Sequence, residues 1–352
     1  MKNIILHDYF ESLEGGGRLS SVLANSLNMA IGYGFASKNH PFIENLTQHS
    51  LNSHSSIPLW KQFKLARAFN NRTKFLNNYK TVIYSGFYTP LAIKNHINGK
   101  NILYCHTPPR FIYDQQEFYL KLLSPPLRPL LRIFINYLKP RYEYAIDNMD
   151  IIIANSENVS QRIQYYLGKQ STVIHPPCDT QRFKWLEQGN YYLSMARLDP
   201  LKRIDLIVQA FLKMPDKKLV IASGGNELLK LKKLANQSDN IHFTGWIDDR
   251  KLAELVGKSI ATLYLAKDED FGMSPVESMA AGKPVIGAAE GGLLETVIPH
   301  KTGLLLKPSV SAICQAVSIM TPKMALTMRN VCEQQAQNFR TEIFLEKMQA
   351  LI

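Results

Sequence analysis

The sequence is poor in the features that most cheaply settle what a protein does. Its 352 residues hold only four cysteines, Cys105, Cys178, Cys314 and Cys332. They lie far apart with no C-x-x-C pair, which argues against a zinc ribbon or a disulfide framework and fits a reducing compartment. No stretch reaches the ~18 uninterrupted apolar residues of a membrane span. The apolar run after Met1 is too short for a signal peptide. The expectation is a cytoplasmic chain, soluble or peripheral at the inner face of the membrane. Acids are scarce beside bases: 29 Asp and Glu against 41 Lys and Arg, a formal excess of +12. That balance suits anionic partners, whether nucleotide phosphates, nucleic acid or acidic lipid, without choosing among them.

What is present is alternation. Short apolar runs at Lys2–Leu6, Thr81–Tyr84, Asn101–Cys105 and Ile151–Ala154 are separated by segments of helical spacing such as Leu19–Ala30 and Leu59–Asn78. A second series follows: Tyr191–Met195, Lys218–Ala222, Ile241–Phe243, Ile260–Leu265, Pro284–Gly287 and Gly303–Leu306. Strands alternating with helices predict parallel sheets, here in two successive α/β domains. The proline pair Pro176-Pro177 and the loop after it make residues 176–190 the expected linker. We therefore expect domains at residues 1–178 and 179–330. A last helical pattern from 331 to 352 either completes the second domain or crosses back to the first.

Five segments carry candidate chemistry. Gly15-Gly16-Gly17 precedes the helical pattern at Leu19, where glycines allow close backbone approach to a ligand and helix amides attract anions. A plain surface loop is the alternative. His106, within Tyr104-Cys105-His106-Thr107-Pro108-Pro109-Arg110, follows a strand and would face the crevice where parallel sheets bind ligands. It could equally satisfy loop carbonyls. Arg197 and Lys202 lie before the helix Ile204–Phe211, where a helix dipole disfavours cations; an anion such as a diphosphate would account for them, as would solvent. Gly245-Trp246-Ile247-Asp248-Asp249 reads as a turn able to offer its backbone to a base edge, or as an ordinary turn with Asp248 as N-cap. Finally, Glu269 and Glu277 bracket Phe271-Gly272-Met273-Ser274-Pro275 between a buried strand and a helix N-terminus. Two acids at such a turn can accept hydrogen bonds from sugar hydroxyls; either could also be a mere cap.

In these segments the chain resembles the large group of retaining, nucleotide-sugar-dependent glycosyltransferases with the GT-B fold, often called family 4. The ordered set Arg197, Lys202, Glu269, Gly272, Glu277, Gly282 and Gly291-Gly292 carries the likeness. Cys105 to Arg110 and Val173 to Asp179 look like the subgroup of bacterial mannosyltransferases that build O-antigen and capsular polysaccharides. The resemblance implies two Rossmann-like domains with parallel sheets facing a central cleft. It places Gly15 to Gly17 beside the donor phosphate, His106 near the donor sugar, and Arg197 with Lys202 on the diphosphate. Glu269 then faces the transferred sugar, Glu277 the ribose, and the main chain at Ile247, beside Trp246, the base. Many relatives follow the glycine loop with Glu-Arg, whereas Arg18 follows directly here.

The implied reaction is retaining hexosyl transfer without a cofactor or metal. Front-side attack is expected, because no second carboxylate suggests itself as a nucleophile. The preferred donor is GDP-mannose, with UDP-hexoses open, and the acceptor is a glycan or lipid-linked glycan. Residues 118–141 interleave apolar and basic side chains and would either lie on an anionic membrane or pack as a core helix with a solvated face. A nucleic-acid binder is suggested by charge alone and lacks the aromatic-basic motifs of that class. A same-fold phosphorylase or epimerase would differ only in its products, and a silent nucleotide-sugar binder would waste the motif set.

Overall fold

The computed structural model describes residues 2–11, 15–38, 40–57 and 59–352. The chain forms two compact units, Met1–His175 with Leu345–Ile352, and Pro176–Phe344. In the first, Asn3–His7 (β1), Ala30–Tyr33 (β2), Gln48–Ser50 (β3), Thr81–Ser85 (β4), Lys100–Cys105 (β5), Ile151–Ala154 (β6) and Thr172–Val173 (β7) form a sheet in the order β3-β2-β1-β4-β5-β6-β7. In the second, Tyr191–Ser194 (β8), Lys218–Ile221 (β9), Ile241–Phe243 (β10), Thr262–Tyr264 (β11), Val285–Ala288 (β12) and Gly303–Leu306 (β13) follow β10-β9-β8-β11-β12-β13. All these pairings are parallel. Such sheets are covered on both faces, which explains why the central strands read as unbroken apolar runs. Ile4, Ile5, Val82, Ile83, Ile102, Leu193 and Ile286 are fully buried.

Each order reverses direction once, between β1 and β4 and between β8 and β11. Beyond the carboxyl ends of strands at such a reversal the flanking helices diverge and leave a crevice, the position where open α/β sheets bind ligands.

Several boundaries differ from the sequence reading for definite reasons. The three glycines are the first turn of the helix Gly15–Ser26 instead of a loop before it. That helix stops well short of Ala30, which opens β2; a four-residue strand containing Gly32 gives too little periodicity to be seen. Leu59–Asn78 divides into the helix Trp60–Asn71 and a 3-10 turn, Lys74–Asn78. Pro125 and Pro126 split the basic segment into helices Gln116–Leu122 and Arg128–Asp147. The C-terminal pattern is likewise two helices, Pro322–Gln337 and Thr341–Gln349. Where caps are strong the boundaries are sharp: Ser156 accepts the Val159 amide at 3.0 Å to start Glu157–Leu167, and Gly168, at φ +66°, ends it. Among the described residues no helix is long and apolar enough to cross a membrane.

Candidate functional site

In the second unit the loops after β8, β11 and β12 converge at the reversal. Pro200–Lys202 form a 3-10 turn, and Asp199 starts it by accepting the Leu201 amide at 2.9 Å. Lys202 then projects its ammonium to Glu269 Oε2 at 2.6 Å and to the Tyr264 hydroxyl at 3.2 Å. Burial pulls the Lys202 pKa down, but Tyr264 and Glu269 outweigh it, so the amine is held above the ordinary lysine range and stays charged. The Tyr264 phenol is pushed up by burial and then by Glu269, and stays protonated.

The loop carrying Glu269 is held from three sides. Gly292 N–H donates to Glu269 O at 2.8 Å, and Lys267 N–H to Leu201 O at 2.7 Å. Arg203, at φ +52°, pairs with Glu290, whose Oε1 also accepts the Asp268 amide at 3.2 Å. Gly291, at φ +61°, packs so close that an added Cβ would stand 2.4 Å from Glu269 O. Gly272, at φ +88°, turns the chain into the helix Met273–Ala280, on whose first turn sit Met273 and Ser274. Phe271 is buried and meets the ring of Phe339 edge-on at 5.5 Å, anchoring that turn to the core.

Arg197, Glu277, Trp246 and Ile247 make further contacts within this unit. Arg197 is 52% exposed and reaches Asp199 at 3.9 Å, a weak ion pair on an open loop. Glu277 has Arg182 as its partner at 3.6 Å, and Arg182 also pairs with Asp249. Asp248 caps Asp249–Lys258 by accepting the Lys251 amide at 2.7 Å, so the ordinary capping role holds there. Trp246 is 71% exposed, and its indole lies over Gly224, where an added Cβ would meet Nε1 at 2.4 Å. Ile247 packs partly buried against the core of the same unit.

In the first unit the carboxyl ends of β1, β4 and β5 bring His7, Ser85 and His106 together beside the glycine helix. Ser85 Oγ lies 2.9 Å from His106 Nε2, and His7 Nδ1 lies 2.9 Å from the Ser85 carbonyl. An added Cβ on Gly16 would sit 3.4 Å from His7 Cε1 and 3.5 Å from His106 Nε2. Burial lowers the His106 pKa to about 4; burial and then the neighbouring His106 lower that of His7 to about 3. Both rings are neutral at physiological pH. Asp8, one residue on, is buried and accepts the Phe87, Tyr88 and Thr89 amides at 2.7, 2.9 and 3.2 Å, capping the 3-10 helix Thr89–Asn95. Burial nevertheless raises its pKa to about 6.

The sequence reading missed His7, Asp8, Ser20, Ser85, Arg182, Arg203 and Glu290. His7 obeys the rule that selected His106, a histidine at the carboxyl end of a parallel strand, and was legible on that ground. The serines and the ion-pair partners carry no signal of their own, because only tertiary contact gives them a role.

Among the described residues no cluster of His, Cys, Asp and Glu could hold a metal ion. Residues 179–338 match the family model described as glycosyl transferases group 1. The chain is 24% identical over 267 residues to an alpha-1,3/1,6-mannosyltransferase, ALG2, of Dictyostelium discoideum, a match covering 62% of this chain and 61% of that protein. Against the corresponding protein of Saccharomyces cerevisiae it is 23% identical over 284 residues, covering 65% and 54%. The chain thus spans little more than half the length of the curated relatives it matches. Its fold superposes on sucrose-phosphate synthase from Thermosynechococcus elongatus with a TM-score of 0.78 at 20% identity, covering 100% of this chain and 98% of that one. HepE of Anabaena in complex with UDP gives 0.77 at 15% identity, covering 100% and 99%. The architecture is that of GT-B proteins, and the relatives found by sequence are glycosyltransferases.

Proposed function

We propose that this chain is a retaining glycosyltransferase that moves mannose from GDP-mannose to a growing, lipid-linked glycan of a bacterial surface polysaccharide. The observation that carries this reading is the Lys202–Glu269 pair at the strand reversal of the unit that matches the group 1 family. In hexosyl transfer the bond from anomeric carbon to phosphate loosens and negative charge gathers on the leaving diphosphate. Lys202 and Arg197 stabilise that charge, and Lys202, already held by Glu269 and Tyr264, supplies the kind of preorganised electrostatics that lowers such barriers. Glu269, already oriented by Lys202, accepts hydrogen bonds from hydroxyls of the transferred sugar. The resemblance assigns Glu277 to the ribose, the backbone at Ile247 to the base, and Gly15 to Gly17 with His106 to the donor phosphate and sugar. The leaving phosphate takes the acceptor's proton in a front-side attack, so the configuration at the anomeric carbon is kept.

A lipid-linked acceptor calls for contact with a membrane surface. The helix Arg128–Asp147 buries Leu131, Phe134, Ile135 and Leu138, yet leaves Leu130 and Ile133 exposed beside Arg132. Apolar side chains flanked by arginine suit an anionic interface. Flotation with vesicles containing anionic lipid tests this, and loss of binding in a Leu130→Ser, Ile133→Ser variant is the expected result.

The donor is tested by thermal stabilisation with GDP, UDP, ADP and their sugar conjugates, since a ligand bound only to the folded state raises Tm with occupancy. A selective response to GDP and GDP-mannose supports the reading. A selective response to UDP replaces mannose by a UDP-linked hexose and leaves the mechanism standing. Absence of any response, or an Arg197→Ala enzyme with normal turnover, overturns it.

A further inference from the structure

Four polar side chains meet behind the glycine helix, and the direction of their hydrogen bonds can be worked out from one fixed point. Ser20 and Ser85 are fully buried, and His7 and His106 are largely so. β1 and β4 pair in register at His7 and Ser85, which sets the imidazole of one against the carbonyl of the other. A carbonyl only accepts, so His7 Nδ1, 2.9 Å from Ser85 O, must carry the ring proton. The same N–H faces Ser20 Oγ at 3.2 Å, which makes that oxygen an acceptor on the His7 side.

Ser20 then has one proton to give. Its hydroxyl has Ser85 Oγ at 3.0 Å and the Gly16 carbonyl at 3.0 Å. Gly16 O lies in the first turn of a helix, where the i+4 amide already serves it. Ser85 Oγ, fully enclosed, has no such provision and gains more from the bond. With Ser20 donating to Ser85, the Ser85 hydroxyl donates onward to His106 Nε2 at 2.9 Å. His106 is neutral, so an acceptor at Nε2 places the proton on Nδ1. Among the described residues that Nδ1 has no hydrogen-bond partner.

We propose that Ser85, with Ser20 and His7 behind it, is a positioning residue that fixes the tautomer of His106, so that His106 presents Nδ1–H as a hydrogen-bond donor to a hydroxyl or phosphate oxygen of the sugar donor. The inference rests on the assignment of His106 to that ligand. The relay itself is built from this unit's own contacts and can be tested without any ligand. It also explains why two histidines sit side by side in a buried place. A charged pair would repel there; burial keeps both rings neutral, and the serines orient them.

The test is a long-range proton–nitrogen correlation spectrum of the whole protein with 15N-labelled histidine, His106 being assigned through a His106→Gln variant. The expected spectrum shows His106 Nδ1 protonated and Nε2 bare, and His7 protonated on Nδ1. In Ser85→Ala, the single-tautomer pattern of His106 gives way to a mixture. Turnover there falls roughly tenfold or more while KM for the donor changes little, as loss of one oriented donor in the transition state predicts. Ser20→Ala, which leaves the Ser85 hydroxyl in place, gives a smaller change of the same sign. A wild-type spectrum with the proton on Nε2 overturns the proposal, and so does a Ser85→Ala protein with His106 unchanged. Should Ser85→Ala fail to fold, the wild-type and Ser20→Ala spectra still decide it. If no nucleotide binds but the spectrum is as expected, it is the functional reading that fails and the relay that stands.

Discussion

Lys202 Nζ lies 2.6 Å from Glu269 Oε2, joining two loops that are 67 positions apart in the chain. The pair is four-fifths shielded on both sides, where charges attract more strongly than at an open surface but also cost more to desolvate. Glu269→Gln therefore leaves an ammonium with only the Tyr264 hydroxyl, and stability should fall by about 1–3 kcal/mol. Lys202→Met takes the ammonium away from the Glu269 carboxylate and should cost a similar amount. The double variant should recover part of either loss. Turnover should fall 10²–10³-fold in Lys202→Met, the usual effect of removing one group that stabilises transition-state charge. Chemical denaturation of the three variants with rate assays checks both statements. Strictly additive losses would show that the two side chains do not interact.

Gly291 is the point at which the Glu269 loop is most tightly held. Its φ of +61° disfavours any side chain, and a methyl there would stand 2.4 Å from Glu269 O and 2.7 Å from Glu269 N. Both contacts are to backbone and cannot be relieved by turning a side chain. Gly291→Ala should cost about 2 kcal/mol or more and displace Glu269, lowering both Tm and turnover. By contrast, Gly245→Ala meets no neighbouring atom within 4 Å. It should show only the strain of its φ of +70°, about 1 kcal/mol, with turnover little changed. Equal losses in the two variants would contradict the packing argument.

The difference between what was legible in the sequence and what was not follows from range. β6 and β10 were read to the residue because each is a short apolar run bounded by turn residues, a local signal. β3, Gln48-His49-Ser50, escaped because it is a polar edge strand whose only reason to be extended is β2 beside it. In the same way Glu269 and Lys202 were each picked from their local setting, at a strand end or before a helix. Their pairing, and the bracing of Asp268 by Glu290, belong to the topology alone. Arg197 shows the converse: its loop was recognised, while its exposure at 52% could not have been.

Stability should depend on pH through three buried groups, with opposing signs. His7 and His106 have folded pKa values near 3 and 4 against 6.5 when unfolded, so the unfolded chain binds protons first as pH falls. Their contribution is complete above pH 6.5 and is lost between there and about pH 3. Asp8 has the opposite shift, from 3.8 to about 6, so its contribution is complete below pH 3.8 and lost as pH rises through 6. Asp8 thus offsets part of the histidines' loss between pH 6 and 4. Asp8→Asn removes that offset, and its Tm should fall more steeply than the parent's across this window. A His7→Gln, His106→Gln variant keeps Asp8 alone and should gain stability as pH falls through this window. If that variant keeps the parent's slope, the titration lies elsewhere in the chain.

Gly16 separates a demand of the fold from a demand of the proposed ligand. It sits inside a helix at negative φ, where alanine is preferred over glycine by about 0.5–1 kcal/mol. The atoms nearest an added methyl would be His7 Cε1 at 3.4 Å and His106 Nε2 and Cε1 at 3.5 and 3.6 Å, which are ordinary contacts. Among the described residues these contacts do not require glycine at this position, unlike Gly17, where the Phe10 ring stands 3.3 Å away. Gly16→Ala should raise Tm by a degree or two, since about 1 kcal/mol is worth about 2–4 °C in a domain of this size. If a phosphate approaches the helix backbone here, the methyl blocks it, and the stabilisation given by the sugar nucleotide should shrink along with turnover. A variant that gains stability and keeps its full response to the donor would show that the glycine triplet does not meet the ligand.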